Sequence, residues 1–244
     1  MRKFGLIGYP LSHSFSKKYF TEKFARENIA GCIYELYPIH NISELPQLLN
    51  EQRLEGLNVT IPYKKHVLQF LDEATDAVAQ MEACNCILIK NGKLLGYNTD
   101  VTGFEKTFAP HLKPSHQKAL ILGTGGAAAA VEFTLKKLGI QYLFVSRQQS
   151  SSPNCITYND LNDEVMQQHT IIINTTPLGT YPDIHFCPSI PYQYITGQHY
   201  LYDLVYNPAK TLFLQKGEEQ KATIENGAQM LIIQAEESWK IWNS

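Results

Sequence analysis

The stretch Lys118-Ala-Leu-Ile-Leu-Gly123-Thr-Gly-Gly-Ala-Ala128-Ala-Ala-Val131 decides the fold. Its apolar run at 119–122 reads as a strand buried on both faces, and the small residues of 125–138 read as a helix. A second apolar strand follows at 141–145. Strand, glycine turn, helix and strand supply the context in which Gly123-x-Gly125-x-x-Ala128 carries meaning as a dinucleotide-binding turn. Gly123 permits the tight turn, Gly125 lets the backbone approach a pyrophosphate, and small Ala128 lets helix and sheet pack closely. The helix start offers unpaired N–H groups and partial positive charge. A reader of the ribose 2′-hydroxyl would be Asp or Glu at the end of the second strand, but that zone is Val145-Ser146-Arg147. A guanidinium suits a 2′-phosphate, so NADP(H) is expected over NAD(H), with Arg147 as its anchor. The plainer alternative is a solvated loop arginine.

Working outward, strands are expected at 170–174 and 200–205, a polar loop at 147–159, and a helix with a broad apolar face at 230–241. Toward the N-terminus, residues 4–8 read as a strand, and 17–29 as a helix capped by Ser16 and ended near Gly31. Strands at 32–39 and 56–61 flank a helix at 43–52, and Pro62 opens an expected helix through 71. Asn91-Gly92 between 86–90 and 93–97 is the favoured pair for a two-residue type I′ hairpin. Asp100 is placed to cap a helix over 101–108, and Pro110 and Pro114 bracket a polar linker. Two α/β units in series result.

Composition narrows the function. Of 244 residues, 44% are hydrophobic and 18% charged, enough apolar material for a core, which excludes global disorder. A net charge of −2 without a basic stripe argues against nucleic acid. No apolar run reaches the roughly 18 residues of a membrane span, and the N-terminal apolar run is too short for a secretory segment. Five cysteines at 32, 84, 86, 155 and 187 are odd in number and sparse, which fits a reducing cytoplasm better than a disulfide framework. Cys84-x-Cys86 lacks the further ligands that zinc needs, so no metal is expected.

Polar residues gather where the first unit's strands end, which is where α/β sheets bind ligands. They are Ser12-His13-Ser14-Phe15-Ser16, Asn58-Val-Thr60-Ile-Pro-Tyr-Lys64 and Asn98-Thr-Asp100. Hydroxyls, amides, one lysine and one carboxylate suit a small polyhydroxylated acid. Taken singly they read as capping and turn residues, the commoner role. Lys64 in a first helical turn, however, opposes the helix dipole and needs another reason to be there.

These stretches, with Gly8-Tyr-Pro-Leu-Ser-His-Ser-Phe-Ser16, Asn174-Thr-Thr-Pro-Leu-Gly179 and Tyr202-Asp-Leu-Val-Tyr206-Asn-Pro, resemble the shikimate dehydrogenase family, in order and from residue 4 to about Gln234. The resemblance implies reversible NADPH-dependent reduction of 3-dehydroshikimate to shikimate, a step toward chorismate and the aromatic amino acids. It implies an N-terminal α/β substrate domain (1–101, with the C-terminal helix of about 226–244 returning to it). A C-terminal Rossmann-like dinucleotide-binding domain (102–225) follows, with a cleft between them. Lys64 would be the acid/base, paired with Asp100. Ser14 and Ser16 would hold the substrate carboxylate with Tyr206 nearby, while Thr60, Asn85 and Gln234 would bind ring hydroxyls. On the cofactor side it implies Gly123, Thr124, Gly125, Gly126 and Ala127 at the pyrophosphate and Arg147 at the 2′-phosphate. Thr175, Leu204 and Gly227 would line the nicotinamide end, and Asp76 aligns with an acidic position sometimes assigned to the cofactor.

The chain departs from the family pattern at Tyr9, where Asn is usual, and at Ser151, where a second cation would lie. One guanidinium thus remains of two, which points to a weaker NADP preference. Rival readings are a quinate/shikimate dehydrogenase of mixed cofactor use and a non-catalytic NADP-binding sensor. The presence of both Lys64 and Asp100 argues against the sensor. Expected partners are small molecules only, with no nucleic acid or membrane, for a monomer or homodimer.

Overall fold

Alternate residues along the strands feed two different cores, and this alternation fixes the architecture. In the first strand Phe4 and Leu6 join one buried cluster while Ile7 joins another, so both faces of the sheet are covered. The computed structural model describes residues 1–11 and 14–244. Ser12 and His13, within the serine-rich stretch noted above, lie outside the described residues. The chain forms two compact units, Met1–Thr102 with Ile232–Ser244, and Gly103–Leu231. The helix expected over about 226–244 is therefore divided between them.

The first unit contains β1 (Arg2–Gly8), α1 (Phe15–Arg26), β2 (Cys32–Pro38), α2 (Leu45–Gln52), β3 (Gly56–Val59), β4 (Glu73–Ala74), α3 (Asp76–Met81), β5 (Cys86–Lys90) and β6 (Lys93–Tyr97). Its sheet runs β2-β1-β3-β5-β6-β4, with β1 parallel to β2 and β3, and β5 antiparallel to β3 and β6. Asn91 and Gly92 both take positive φ (54° and 77°), which gives the expected β5–β6 hairpin. Three local expectations change. Ser14 rather than Ser16 precedes α1, and it makes no side-chain capping bond. The segment from Pro62 is a turn followed by a short 3₁₀ helix, His66–Phe70, because the Lys64 carbonyl accepts from the distant Cys84 N–H (2.8 Å) instead of propagating a helix. The next helix, α4 (Thr99–Phe108), starts two residues earlier than expected: Asn98 Oδ1 accepts the Asp100 N–H (3.1 Å), so Asp100 lies in the first turn with its carboxylate released from capping.

The second unit contains β7 (Lys118–Leu122), α5 (Gly126–Lys137), β8 (Gln141–Ser146), β9 (Cys155–Thr157), α6 (Asp163–Gln168), β10 (Ile171–Asn174), β11 (Tyr200–Asp203), α7 (Leu212–Glu219) and β12 (Thr223–Asn226). The last helix, α8 (Ala228–Trp242), follows. The sheet order is β12-β11-β10-β7-β8-β9, every pair parallel, the doubly wound arrangement with its topological switch between β7 and β10. Ala119, Ile121, Ile171, Ile173, Tyr200 and Tyr202 pack on one face with α5; Leu120, Leu122, Ile172 and Leu201 pack on the other. β9 sits inside the stretch expected as loop; at three residues it is too short for periodicity to show. Among the described residues no helix is long and apolar enough to cross a membrane.

Candidate active site

Strand direction gathers the first unit's polar stretches at one end of its sheet. β1 and β3 are parallel, β5 runs against β3, and β6 runs against β5. Consequently the residues just after β1, β3 and β6 and those just before β5 converge. These are Ser14 and Ser16, Thr60 and Lys64, Asn98 to Asp100, and Asn85. Lys64 Nζ donates to Asp100 Oδ2 at 2.7 Å, with the two side chains 19% and 16% exposed. The pair is thus enclosed enough to hold its geometry and open enough to meet a ligand. Asp100 also gains from the positive end of α4.

Beside the ion pair lies a network of neutral groups. Asn85 Oδ1 accepts the Thr99 N–H (2.7 Å), and its Nδ2 donates to Thr99 Oγ1 (3.1 Å) and Gln234 Oε1 (3.4 Å). Through Cys84, whose N–H reaches the Lys64 carbonyl, Asn85 is tied to the turn that carries the lysine. Thr60 is fixed by its backbone, its N–H donating to the Ile7 carbonyl and its carbonyl accepting from Tyr63. A Cβ on Gly8 would collide with Thr60 Cγ2, so a glycine ends β1 there. Ser16 comes within hydrogen-bonding reach of the Tyr34 hydroxyl, whose pKa burial pushes well up. Ser14 Oγ is buried and has no hydrogen-bond partner among the described residues, a donor with capacity to spare at this end of the sheet.

The second unit builds its site from backbone. Gly123 has φ +99°, and a Cβ there would press on Thr176 Cγ2 (2.9 Å) and Thr175 Oγ1 (3.2 Å). Thr175 spends both its N–H and its hydroxyl on the Leu122 carbonyl (3.1 and 2.7 Å). The Leu204 N–H reaches the Asn174 carbonyl (3.0 Å), and a Cβ on Gly227 would overlap the Leu204 carbonyl oxygen. Gly123, Thr175, Leu204 and Gly227 are thereby brought to one place at the carboxyl ends of the strands. At Gly125 and Gly126 a Cβ would meet nothing within 4 Å, and Thr124 beside them is exposed. The first turn of α5, where Ala127 sits, has neither an acidic residue nor a side-chain cap. These free amides above open space fit a diphosphate. The Gly123 N–H bonds to Val145 O (2.9 Å), which sets the end of β8 beside the turn; Arg147 follows, exposed and without an ion-pair partner among the described residues. It is available to a phosphate at the ribose end.

Tyr206 follows β11 in the second unit and is 37% exposed. Asp76 begins α3 in the first unit and is exposed, joined by no hydrogen bond to the other candidate residues described. Cys84 and Cys86 are fully buried, Cys84 Sγ donating to the Cys86 carbonyl, as expected of core thiols. Three groups that sequence reasoning left unassigned belong to the first unit's network: Tyr34, whose hydroxyl donates to Asn58 Oδ1 (2.9 Å); Asn58 itself; and Ser238, which accepts from Asn58 Nδ2 (2.9 Å). Ser238 stands one helical turn after Gln234, and a buried polar residue at that spacing was the available signal.

With this geometry in hand, the likenesses to known proteins are specific. Residues 6–87 match the family described as shikimate dehydrogenase substrate binding domain. A shikimate dehydrogenase (NADP(+)) of Clostridium beijerinckii is 34% identical over 250 residues, covering 99% of this chain and 92% of the relative. Among solved structures, a chorismate mutase/shikimate 5-dehydrogenase fusion protein from Clostridium acetobutylicum superposes with a TM-score of 0.89 at 31% identity, covering 100% of this chain and 91% of that one. A shikimate 5-dehydrogenase from Thermus thermophilus, in complex with NADP(H) and shikimate, gives 0.86 at 26% identity, covering 99% and 93%.

Proposed function

The chain belongs to the shikimate dehydrogenase family, and from that premise we propose that it catalyses the reversible NADPH-dependent reduction of 3-dehydroshikimate to shikimate, a step toward chorismate and the aromatic amino acids. The observation that carries the reading is the contact between Lys64 Nζ and Asp100 Oδ2, set among the amides and hydroxyls of the first unit. Reducing a ring ketone to an alcohol develops negative charge on the carbonyl oxygen, which must receive a proton. Lys64 holds that proton on Nζ and gives it up as the charge forms, a contribution of roughly 10²–10⁴-fold. In the reverse direction it takes the hydroxyl proton. Asp100 aims the ammonium through Oδ2, while Oδ1 accepts from a neighbouring ring hydroxyl, so one carboxylate aligns catalyst and substrate.

Around that pair, Thr60, Asn85 and Gln234 bind ring hydroxyls, and Ser14 and Ser16 take the substrate carboxylate, with Tyr206 contributing at that group. The unpartnered Ser14 hydroxyl supports this assignment. When bound, the nicotinamide cofactor supplies the hydride, leaving proton transfer and orientation to the protein. Gly123–Ala127 cradles its pyrophosphate, Arg147 pairs with the 2′-phosphate, Thr175, Leu204 and Gly227 border the nicotinamide, and Asp76 is the remaining acidic contact. In this reading Met1–Thr102 with Ile232–Ser244 is the substrate domain, and the enzyme acts on small molecules in the cytoplasm as a monomer or homodimer. Five unpaired cysteines agree with a reducing compartment. The test is the near-ultraviolet absorbance of reduced nicotinamide on mixing the protein with shikimate and NADP⁺. Turnover is expected; cofactor binding without turnover would leave a sensor module instead.

A further inference from the structure

Ser238 is a polar residue in the middle of α8, fully buried at 0% exposure. Alanine would serve the helix better, since mid-helix serine competes with the backbone for hydrogen bonds. The serine hydroxyl donates to the Gln234 carbonyl one turn back (2.9 Å), accepts from Asn58 Nδ2 (2.9 Å) and lies 3.4 Å from Thr99 Oγ1. One oxygen therefore joins three elements: β3 through Asn58, α4 through Thr99, and α8 through its own turn. Each partner in turn touches a residue that carries a candidate substrate-binding amide, Asn58 at the main chain and Thr99 at the side chain. Asn58 Nδ2 also donates to the Asn85 carbonyl (3.2 Å), and Thr99 Oγ1 donates to Gln234 Oε1 (3.4 Å) while its N–H fixes Asn85 Oδ1 (2.7 Å). The far side is closed by Tyr34, whose hydroxyl holds Asn58 Oδ1. Ser238 is thus the junction where β3 and α4 meet α8.

We propose that Ser238 is a positioning residue for the substrate: it anchors Asn58, which holds the Asn85 main chain, and packs its oxygen against Thr99, whose N–H and hydroxyl face the side-chain amides of Asn85 and Gln234, without itself touching the ligand. The inference rests on the reading that these two amides contact the substrate ring. Without the hydroxyl, Asn58 Nδ2 loses one partner and Thr99 Oγ1 loses the neighbour that fixes its place, so the groups facing the Asn85 and Gln234 amides can shift and the amides present several orientations instead of one. A loss of alignment of this kind weakens substrate binding and the step that follows, yet leaves the nucleotide-binding unit untouched.

The test is a double-mutant cycle on the intact enzyme, reading KM for shikimate and for NADP⁺ together with kcat. Ser238→Ala is expected to lower kcat/KM for shikimate by roughly tenfold, mainly through KM, with KM for NADP⁺ unchanged. In a Gln234→Ala background the same substitution is expected to have little further effect, because the group it positions is gone. Thr99→Val, which keeps shape and backbone while deleting the hydroxyl, is the second variant and should give the same shikimate-selective loss. Equal effects of Ser238→Ala in both backgrounds, or parallel changes in both KM values, would overturn the positioning role while leaving the reaction intact. Absence of shikimate turnover by the unmutated protein would instead overturn the functional reading, and the positioning role with it.

Discussion

Asp100 and Asp203 both stand near the ends of sheet strands, one in each unit, and they are used in opposite ways. Asp100 is part-exposed and pairs with an ammonium through Oδ2, leaving Oδ1 outside that contact. Asp203 is at 0% exposure and has no ion-pair partner among the described residues: Asn174 Nδ2 (2.9 Å) and the Val205 N–H (3.0 Å) converge on Oδ1, and the Thr211 hydroxyl (2.5 Å) reaches Oδ2. Burial pushes its pKa up to about 6, against the three hydrogen bonds that pull it down. A perturbed carboxylate is often taken to mark a catalytic site. Here the perturbed one is a knot that ties together the loops after β10 and β11 and the start of α7, and the one proposed for the reaction is distinguished by its partner and its access. The contrast extends to the regions around them. The first unit presents side chains, while the second presents backbone shaped by glycines, so different substitutions should break each.

The largest effect is expected at Lys64. Lys64→Ala removes the proposed proton donor and should lower kcat by roughly 10²–10⁴-fold with a much smaller change in KM, measured by steady-state kinetics in both directions. A large rise in KM with kcat intact would make the lysine a binding group and erase its difference from the neutral network. In the second unit the corresponding break is steric. Gly227→Ala drives a methyl into the Leu204 carbonyl, which is backbone and cannot swing aside. A loss of about 3 kcal/mol of stability is expected in denaturant unfolding, with NADP⁺ affinity falling alongside. Tolerance of that methyl would show that backbone approach is not what shapes the second region. Smaller again, Arg147→Asp should weaken NADPH binding by roughly 10- to 100-fold, the scale of a charge-assisted hydrogen bond, while sparing NADH. Equal loss for both cofactors would mean that Arg147 does not read the 2′-phosphate.

How far sequence reasoning reached follows the same division. The strand-turn-helix around Gly123 was legible because its signals are local: an apolar run, a positive-φ glycine and a small-residue helix within a dozen positions. The Asn91-Gly92 hairpin was legible for the same reason. Lys64 and Asp100 lie 36 residues apart. Their meeting was legible only through motif resemblance, since nothing local in either stretch points to the other. The turn after Pro62 was misread as a helix because what breaks it is a hydrogen bond from Cys84, twenty residues on. Short elements such as α3, α6 and β9 carry too few residues for a period to register. Ser238 and Tyr34 were missed, and Asn58 was named in its stretch without a role, because each alone is an ordinary polar residue in an apolar pattern and only the packed unit makes them neighbours.

The smallest expected effect concerns Asp203, and its sign follows from its surroundings. In the unfolded chain the carboxyl titrates near its ordinary 3.8; in the fold, burial holds it at about 6. Folding therefore takes up a proton in the interval between, and stability falls as pH climbs from about 4 to about 6, levelling off above. Since one pKa unit corresponds to about 1.4 kcal/mol, the loss across that interval is on the order of 1–3 kcal/mol. Asp203→Asn keeps the shape and an oxygen for Asn174 and Val205, and it offers an N–H to the Thr211 oxygen, but it has no charge to desolvate. Urea unfolding at a series of pH values should show the variant gaining on the unmutated protein across that window and matching or exceeding it at neutral pH. Asp203→Ala should instead be destabilising at every pH, because three buried donors lose their acceptor. Identical pH slopes for Asp203→Asn and the parent would show that the carboxylate carries no buried charge, and the opposition between the two aspartates would then reduce to exposure alone.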